Sequence, residues 1–155
     1  MRAAPEATLA IRTAAPSDAP FVRQLGGEAF SEYDPHAERA TARMLVETAS
    51  KTLIAEREGR PVGFVIVKPD ASRVLALNAI AVLPSERGRG IGQRLLRAAE
   101  QYGRSQGMRA VALNTAQANL AALDLFLRAG FVITERTAMH YRRGQAACRL
   151  EKRLA

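Results

Sequence analysis

The sequence predicts a mixed α/β fold (α+β mixed), with one central sheet that carries helices on both of its faces. Short runs of strand periodicity alternate along the chain with longer runs of helical periodicity. The composition, 48% hydrophobic and 25% charged, is typical of a globular protein with a buried apolar core. Because the 155 residues contain no linker or repeat, we expect a single domain over 1–155, with residues 1–7 as a candidate flexible arm.

The first half of the chain is predicted to form a strand, two helices and three further strands. Leu9 and Ile11 alternate with polar neighbours, which is typical of a short strand. Ser17-Asp18 is a predicted N-cap for the first helix, and Asp34-Pro35 marks the start of the second. The three strands are expected at 52–56, 62–67 and 74–83, with a hairpin turn at 57–60.

The second half is predicted to contain two helices and three strands. A helix over 90–106 has an apolar face formed by Ile91, Leu95, Ala98 and Tyr102. A second helix over 119–129 is expected to bury Leu120, Leu123 and Leu127. The strands are expected at 110–113, from 131–133 through Tyr141, and at 147–154. The predicted order is therefore β-α-α-β-β-β-α-β-α-β-β.

Charge and cysteine content narrow the classes of function. The formal net charge is +8, and residues 73–155 hold 14 basic and 5 acidic side chains, which favours a polyanionic ligand or simply a well-solvated surface. One cysteine, Cys148, excludes an intramolecular disulfide, and two histidines, His36 and His140, make a metal centre an unexpected feature. No stretch approaches the length of a membrane span, so we expect a cytoplasmic protein without metal or membrane partner.

The segment over 84–93 carries the densest functional signal. Three glycines at alternating positions lie between a buried strand and an amphipathic helix, where unpaired N–H groups can hold a phosphate. The P-loop pattern would need Lys-Ser/Thr where Gln93-Arg94 stand, and the dinucleotide fingerprint would need glycine at Leu95. Neither of these two phosphate motifs therefore fits.

A third pattern does fit. The hexapeptide at 87–92 matches Q/R-x-x-G-x-G/A and resembles the pyrophosphate-binding motif of the GNAT superfamily of N-acetyltransferases. The strand at 80–84 resembles the family's signature strand, and residues 119–131 look like its second motif, N-x-x-A-x-x-L-Y-x-x-x-G-F. With weaker similarity near both ends, the resemblance covers nearly the whole chain.

The resemblance implies a GNAT fold, a mostly antiparallel sheet of about seven strands, and a site for acetyl-CoA. In that family the strand matching 77–83 splays from the one matching 110–113, and the pantetheine arm runs in the gap. Backbone groups of Ile80, Ala81 and Val82 would pair with the arm, and the Val82 N–H would polarise the thioester carbonyl. The implied pyrophosphate-binding residues are Arg87, Gly88, Arg89, Gly90, Ile91, Gly92 and Gln93.

Two further positions match residues that touch the cofactor in this family. Asn119 would bind the arm or a neighbouring water, or cap the helix that it precedes, and both roles can hold together. Phe126 stands where the family often has the tyrosine that protonates the leaving thiolate. Since phenylalanine has no proton to give, Phe126 is expected to pack against the cofactor arm or to fill the core.

The sequence defines the general base poorly. The expected positions on the two strands are Asn78 and Asn114, which cannot act as bases. We favour Tyr141, because relatives often have a tyrosine near the acceptor at this position. For the remaining candidates a solvated or capping role is the better interpretation; they are Glu28, Glu32, Asp34, His36 and His140.

The acceptor is expected to be a primary amine. Residues 24–38 contain four acids, Glu28, Glu32, Asp34 and Glu38, and no lysine or arginine. In the family that this chain resembles, this region lines the acceptor groove, so the acidic segment would suit a cationic amine, or would serve the dipole of the second helix. The prediction is a direct acetyl transfer from acetyl-CoA to an amine of a small molecule, peptide or protein. A homodimer is one candidate assembly, because dimers are common in the family.

Two alternatives stay open at this level. The first is a GNAT-like sensor that binds acyl-CoA without catalysis, which the missing tyrosine and carboxylates would favour. The second is a nucleic-acid-binding module, favoured by the pI of about 10.7. The sequence argues against this second alternative, because it has no tryptophan, no long basic run and no zinc-ligand spacing.

Overall fold

The computed structural model describes residues 8–155, so the predicted arm over residues 1–7 lies outside the described residues. Seven strands and four α-helices follow each other in the predicted order. In chain order they are β1 (Leu9–Thr13), α1 (Ala19–Phe30), α2 (Ala37–Val46), β2 (Lys51–Arg57), β3 (Arg60–Pro69), β4 (Val74–Val82), α3 (Ile91–Ser105), β5 (Ala110–Ala116), α4 (Leu120–Arg128), β6 (Val132–Thr137) and β7 (Ala147–Arg153).

The seven strands form one open sheet in the order β1-β2-β3-β4-β5-β7-β6. The β4–β5 pair is parallel, and the other neighbouring pairs are antiparallel. The predicted fold class, a mostly antiparallel mixed sheet, is therefore confirmed. Among the described helices, none is both long and apolar enough to cross a lipid bilayer.

Side chains of the central strands build two apolar cores, one on each side of the sheet. Ile54, Phe64 and Ile66 are fully buried against α1. Their neighbours in the strands point the other way, since successive side chains in a strand alternate between faces, and pack with Leu95 and Leu96 of α3. The prediction of helices on both faces is confirmed by this division.

A partly buried ion pair, rather than a side-chain cap, holds the start of the first helix. Asp18 is 6% exposed, and its carboxylate accepts two hydrogen bonds from the Arg12 guanidinium, at 2.7 and 2.9 Å, and one from the Ala15 N–H at 2.7 Å. Arg12 Nε also donates to Glu56 at 2.7 Å. Asp18 stands at the N-cap position of α1, as predicted, but its side chain accepts no hydrogen bond from that helix. It ties the start of α1 to Arg12 of β1 instead, and Arg12 in turn ties β1 to Glu56 of β2.

The predicted apolar face of the last helix is wrong at its two ends, although Leu123 packs against the core as expected. Leu120 and Leu127 are 74% and 47% exposed. The inward stripe of α4 instead comprises Ala122, Leu125 and Phe126, which have the i, i+3, i+4 spacing of one helical face. Because α4 is apolar nearly all round, its periodicity does not distinguish the two possible faces.

Two predicted boundaries shift near the loops. The second helix begins at Ala37, since Asp34 Oδ1 accepts the His36 N–H at 2.8 Å and forms a turn before the helix. Strand β6 ends at Thr137, so Tyr141 lies in the β6–β7 connection and not in a strand. There the Tyr141 N–H donates to the Gln145 carbonyl at 3.1 Å.

We predict that Asp18→Asn lowers the free energy of unfolding by about 1–3 kcal/mol at pH 7, because it leaves Arg12 without its main partner. Hydrogen bonds from Arg12 hold the pKa of Asp18 below its ordinary value of 3.8. The carboxylate therefore stabilises the fold above that pH, and its contribution is lost as the pH falls through the lowered pKa. Urea unfolding of the wild-type and Asp18→Asn proteins at pH 7 and near pH 3 measures the difference between their free energies of unfolding. A difference that is the same at both pH values would contradict the prediction.

Candidate active site

The two parallel strands in the middle of the sheet separate towards one end. Strands β4 and β5 pair over three residue pairs, from Val74 with Ala110 to Ala76 with Ala112. Beyond this point β4 continues beside β3 to Val82, and β5 continues beside β7. A wedge-shaped gap therefore opens in the sheet, and its two edges carry main-chain groups that no longer bond to each other.

A β-bulge at Asn78 sets which residues face this gap. Along β3, Ile66 pairs with Ala79 while Val67 pairs with Leu77, so Asn78 is an extra residue without a partner. One extra residue reverses the alternation of side chains beyond it. As a result Leu77 lies in the core under α3, whereas Ala79 lies in the core under α1.

The ladder on the other side of β4 determines which backbone groups are free. The Leu83 N–H donates to the Val62 carbonyl at 2.8 Å. Bonded and non-bonded pairs alternate in an antiparallel ladder, so Ala81 also bonds to β3, whereas Ile80 and Val82 direct their N–H and C=O groups into the gap. Of the three predicted arm-binding residues, Ile80 and Val82 thus have backbone groups available, and Ala81 does not.

The loop after β4 brings unpaired N–H groups to the open end of the gap. Gly88 and Gly90 have φ of 79° and 78°, a left-handed conformation that glycine adopts without strain. The first bond of α3 runs from the Arg94 N–H to the Gly90 carbonyl at 3.1 Å. The N–H groups of Ile91 and the next two residues therefore have no acceptor within the helix and can hold an anion.

The third glycine of the motif has a different structural role. A Cβ at Gly92 would lie 3.3 Å from the Leu125 side chain, so the missing side chain lets α3 approach α4 closely. Gln93 reinforces the same contact, because its Nε2 donates to the Leu125 carbonyl at 3.4 Å. Together these two residues position the helix start against its neighbour.

The arginines near the loop differ in the contacts that their side chains make. Arg87 is exposed, and its Nε lies 3.4 Å from the Val82 carbonyl. Arg89 lies 3.7 Å from Glu86, which partly neutralises it, and Arg94 donates to the Leu9 carbonyl at 3.1 Å. Arg87 and Arg89 are therefore the two cations that the structure places nearest to the loop's free N–H groups.

A cavity of about 200 Å³ lies on the α1–α2 side of the gap. Asn78 and Asn114, one from each separated strand, form its floor, and aromatic and aliphatic side chains of α1 and α2 form its walls. Drug-sized ligand pockets usually measure about 300–1,000 Å³, so this one suits a short aliphatic molecule or a single side chain. Its full lining is Phe30, Tyr33, Asp34, Ala37, Ala40, Thr41, Met44, Asn78, Asn114, Thr115, Ala116, Asn119 and Tyr141.

Tyr141 closes the cavity from the β6–β7 connection. Its ring centroid lies 5.5 Å from that of Tyr33 and 4.9 Å from the ring of His140. Burial, with smaller contributions from Tyr33 and Cys148, raises the pKa of Tyr141 to about 12. The phenol therefore stays protonated at physiological pH, where it can donate a hydrogen bond but cannot serve as a base.

Asn119 and Phe126 lie on the two sides of α4. The Asn119 Oδ1 accepts the Ala122 N–H at 3.2 Å, which caps α4, and the same residue lines the cavity. Phe126 is 2% exposed, and its ring meets that of Phe131 edge to face at 5.5 Å. The structure thus places Phe126 in the core under α3 and not on the cavity wall.

The predicted acidic segment is divided by the structure. Glu28 and Glu32 are exposed and lie outside the cavity, whereas Asp34 lines it. His36 and His140 are also exposed and lie outside this lining. Of the base candidates proposed from sequence, the cavity therefore holds Asp34 and Tyr141.

Sequence reasoning did not find the cavity walls. Phe30 and Met44 resemble ordinary apolar positions of α1 and α2, and nothing in their spacing separates a cavity wall from a core. The signal that could have found Tyr33 is its place directly before Asp34 in a helix connection. Within residues 8–155, no three His, Cys, Asp or Glu side chains are grouped so as to hold a metal ion.

Comparison with known proteins gives a consistent result. The model of the acetyltransferase (GNAT) family matches residues 18–131. The uncharacterized N-acetyltransferase YhfO of Bacillus subtilis is 36% identical over 87 residues, 53% of this chain and 58% of the relative. Aminoglycoside N(6')-acetyltransferase type 1 of Salmonella typhimurium is 35% identical over 74 residues, 48% of this chain and 51% of the relative. The chain therefore spans little more than half the length of these relatives.

Solved structures share the fold over almost the whole chain. A GNAT-family protein from Desulfovibrio desulfuricans superimposes with a TM-score of 0.83 at 22% identity, covering 96% of this chain and 100% of the other. The protein yncA from Salmonella typhimurium, solved with its cofactor acetyl-CoA, gives a TM-score of 0.82 at 16% identity, covering 95% and 94%. At these identities the likeness concerns the fold alone.

Proposed function

This chain belongs to the acetyltransferase (GNAT) family, and from that premise we propose that it transfers the acetyl group of acetyl-CoA directly to a primary amine. The observation that carries the proposal is the gap between β4 and β5. It joins an anion-binding helix start on one side to a small polar-floored cavity on the other. Donor and acceptor could therefore meet within a single opening of the sheet.

The donor would bind through main-chain groups. The free N–H groups of the α3 start, with Arg87 and Arg89, would hold the pyrophosphate of acetyl-CoA. The gap-facing groups of Ile80 and Val82 would pair with the pantetheine arm in place of the missing β5 ladder. The Val82 N–H would then polarise the thioester carbonyl, which stabilises negative charge as it develops on the oxygen.

The acceptor amine would enter from the cavity. Its nitrogen would attack the thioester carbon, the carbon–sulfur bond would break, and the proton released by the new amide nitrogen would balance the leaving thiolate. With Phe126 in the core, this chain has no tyrosine at the position where the family often has its acid. A thiol has a pKa of ~8.5, so CoA is a fair leaving group and water can protonate it.

The residues near the cavity support a role of positioning more than of proton removal. Asn78 and Asn114 can orient an amine by hydrogen bonds, and the protonated phenol of Tyr141 can donate another. The attacking amine would therefore lose its proton to solvent before it reacts. Positioning of two reactants in one site accounts for a large share of the rate in such transfers.

We further propose a cationic acceptor and a cytoplasmic location. One Salmonella typhimurium relative is named for an aminoglycoside acceptor, and another, from Nocardia farcinica, is named for L-2,4-diaminobutyric acid. Amine acceptors of this kind agree with the acidic character of residues 24–38. Association into a homodimer stays a prediction from the resemblance alone.

The proposed function predicts two results, one after the other. Acetyl-CoA should raise the melting temperature, and thiol release should follow when a panel of primary amines is added. The release assay measures free CoA, with the heat-inactivated protein as its control. Binding without release across all amine classes would indicate an acyl-CoA sensor, and absence of binding would contradict both interpretations.

We predict that Gly90→Glu abolishes the rise in melting temperature that acetyl-CoA causes, since a carboxylate would repel the pyrophosphate. Gly107→Glu is the matched control, because Gly107 lies beyond the other end of α3. Gly107 has a φ of 74° and Gly90 a φ of 78°, and at either site a Cβ would have no atom within 4 Å. A side chain in this left-handed conformation costs about 1–2 kcal/mol at both positions. Equal ligand-induced shifts in the two variants would show that the loop is not the anion site.

The pH dependence of the rate tests how the amine loses its proton. We expect log kcat/KM to rise with a slope of one and to level off near the acceptor's own pKa, ~8 for an α-amine and ~10.4 for a lysine-type amine. The reason is that Asn78 and Asn114 accept no proton and Tyr141 keeps its own, with a pKa of about 12. The Asp34 carboxylate belongs to the α1–α2 connection, where it accepts the His36 N–H and lies beside Arg142. If both acceptors level off at one shared pH, a protein base is at work and this account is wrong.

A further inference from the structure

Asp34 is, among the described residues, the one carboxylate that lines the cavity. It belongs to the α1–α2 connection, and its side chain is 25% exposed. Its Oδ1 accepts the His36 N–H at 2.8 Å and lies 3.7 Å from Arg142 Nε. The carboxylate is thus held in place by its own backbone turn, while its charge is only loosely matched by Arg142.

We propose that Asp34 binds a second cationic group of the acceptor, and that Arg142 occupies this place until the acceptor displaces it. The inference rests on the proposed acetyl transfer and names the class of acceptor: a short aliphatic molecule with two cationic groups. Asp34 is then a specificity-determining residue, and Arg142 is its competitor for the acceptor.

The chemistry of the transfer indicates which of the acceptor's two cationic groups reacts. An amine attacks only in its neutral form, and a carboxylate beside it would raise its pKa and keep it protonated. The group that Asp34 holds is therefore not the reacting amine. The reacting amine belongs at the gap, which Asn78 and Asn114 flank, whereas Asp34 belongs to a helix connection on a different wall of the cavity.

The wall between these two places is apolar. Phe30 and Met44 line the cavity together with alanines of α2, and these side chains favour methylene groups over polar ones. A molecule with one amine at the gap, a methylene chain along this wall and a second cation at Asp34 matches the asparagines, the apolar side chains and the carboxylate of the lining. The small volume of about 200 Å³ limits the length of that chain.

Arg142 can leave without opening the rest of the site. The β6–β7 connection is also held to the α1–α2 connection by two other contacts. The rings of Tyr33 and Tyr141 meet at 5.5 Å with a tilt of 42°, and Gln145 Nε2 donates to the Glu32 carbonyl at 2.9 Å. Arg142 is 63% exposed, so its guanidinium can turn into water. A charge-assisted hydrogen bond measures about 2.7–2.9 Å, so at 3.7 Å this pair is readily displaced.

The test compares cadaverine with n-pentylamine, which have the same chain length but two amines and one. We expect the wild-type protein to prefer cadaverine by about tenfold in kcat/KM, the effect of one hydrogen-bonded charge pair. Asp34→Asn, in which the new side chain still accepts the His36 N–H, should reduce this preference to within about threefold, mainly through the KM for cadaverine. Calorimetric titration with cadaverine measures the same contact without turnover.

Removal of the competing cation, Arg142, should change the KM for cadaverine in the opposite direction. Arg142→Ala should lower the KM for cadaverine about three- to tenfold, because Asp34 then has no internal partner to displace. Arg143→Ala is the matched control: it removes the exposed arginine at the next position, whereas the ion pair with Asp34 is made by Arg142, and it should leave that KM in place.

Three outcomes would overturn the inference. One is equal kcat/KM for the two amines in the wild-type protein, with thiol release intact, which leaves the proposed function standing. Another is that Glu28→Gln or Glu32→Gln removes the preference as fully as Asp34→Asn, which would assign recognition to the exposed acids. The third is no release with either amine and no cadaverine binding, in which case the proposed function fails for these acceptors and the inference fails with it.

Discussion

The early end of the β4–β5 ladder is the constraint on which the rest of the site depends. A central parallel pair normally bonds along its length, and here it bonds over three residue pairs. Beyond them, the ladders to β3 and β7 satisfy only one side of each strand. The main-chain groups of Ile80 and Val82 thus become a ready-made edge, to which an extended ligand can add as a strand would.

The bulge at Asn78 and the glycine-rich loop both depend on this separation. The bulge turns Ala79 and Ala81 towards α1, where their small side chains leave space beside the gap, and puts Asn78 on the cavity floor. At the end of the same strand, the positive φ angles of Gly88 and Gly90 turn the chain into α3, so that its helix start faces the opening. Strand β4 therefore supplies part of the cavity floor and also leads into the loop that precedes α3.

Much of this could be predicted from sequence, since local signals determine it. The glycines at 88 and 90 allow a left-handed backbone conformation. The apolar runs of β2, β3 and β4, which turn residues separate, predict buried strands. The Asn119 cap on α4 followed from residue type and position. The apolar face of α4 could not be predicted, because it depends on a partner distant in the sequence, Gly92, against which Leu125 packs. The role of Asp18 could not be predicted either, although Arg12 stands only six residues away, because the ion pair forms only when β1 and the start of α1 come together. Of the two roles expected for Phe126, the structure shows the one in the core.

The sequence by itself determined the order of the elements, the family resemblance and the glycine-rich loop, because periodicity, turn chemistry and motif spacing act over a few neighbouring residues. Only the tertiary structure decided which acid enters the cavity. Glu28, Glu32 and Asp34 stand within seven residues and look alike in sequence, yet only Asp34 lines the cavity, where it lies beside Arg142. That choice depends on how two connections, more than a hundred residues apart, pack against each other over the gap.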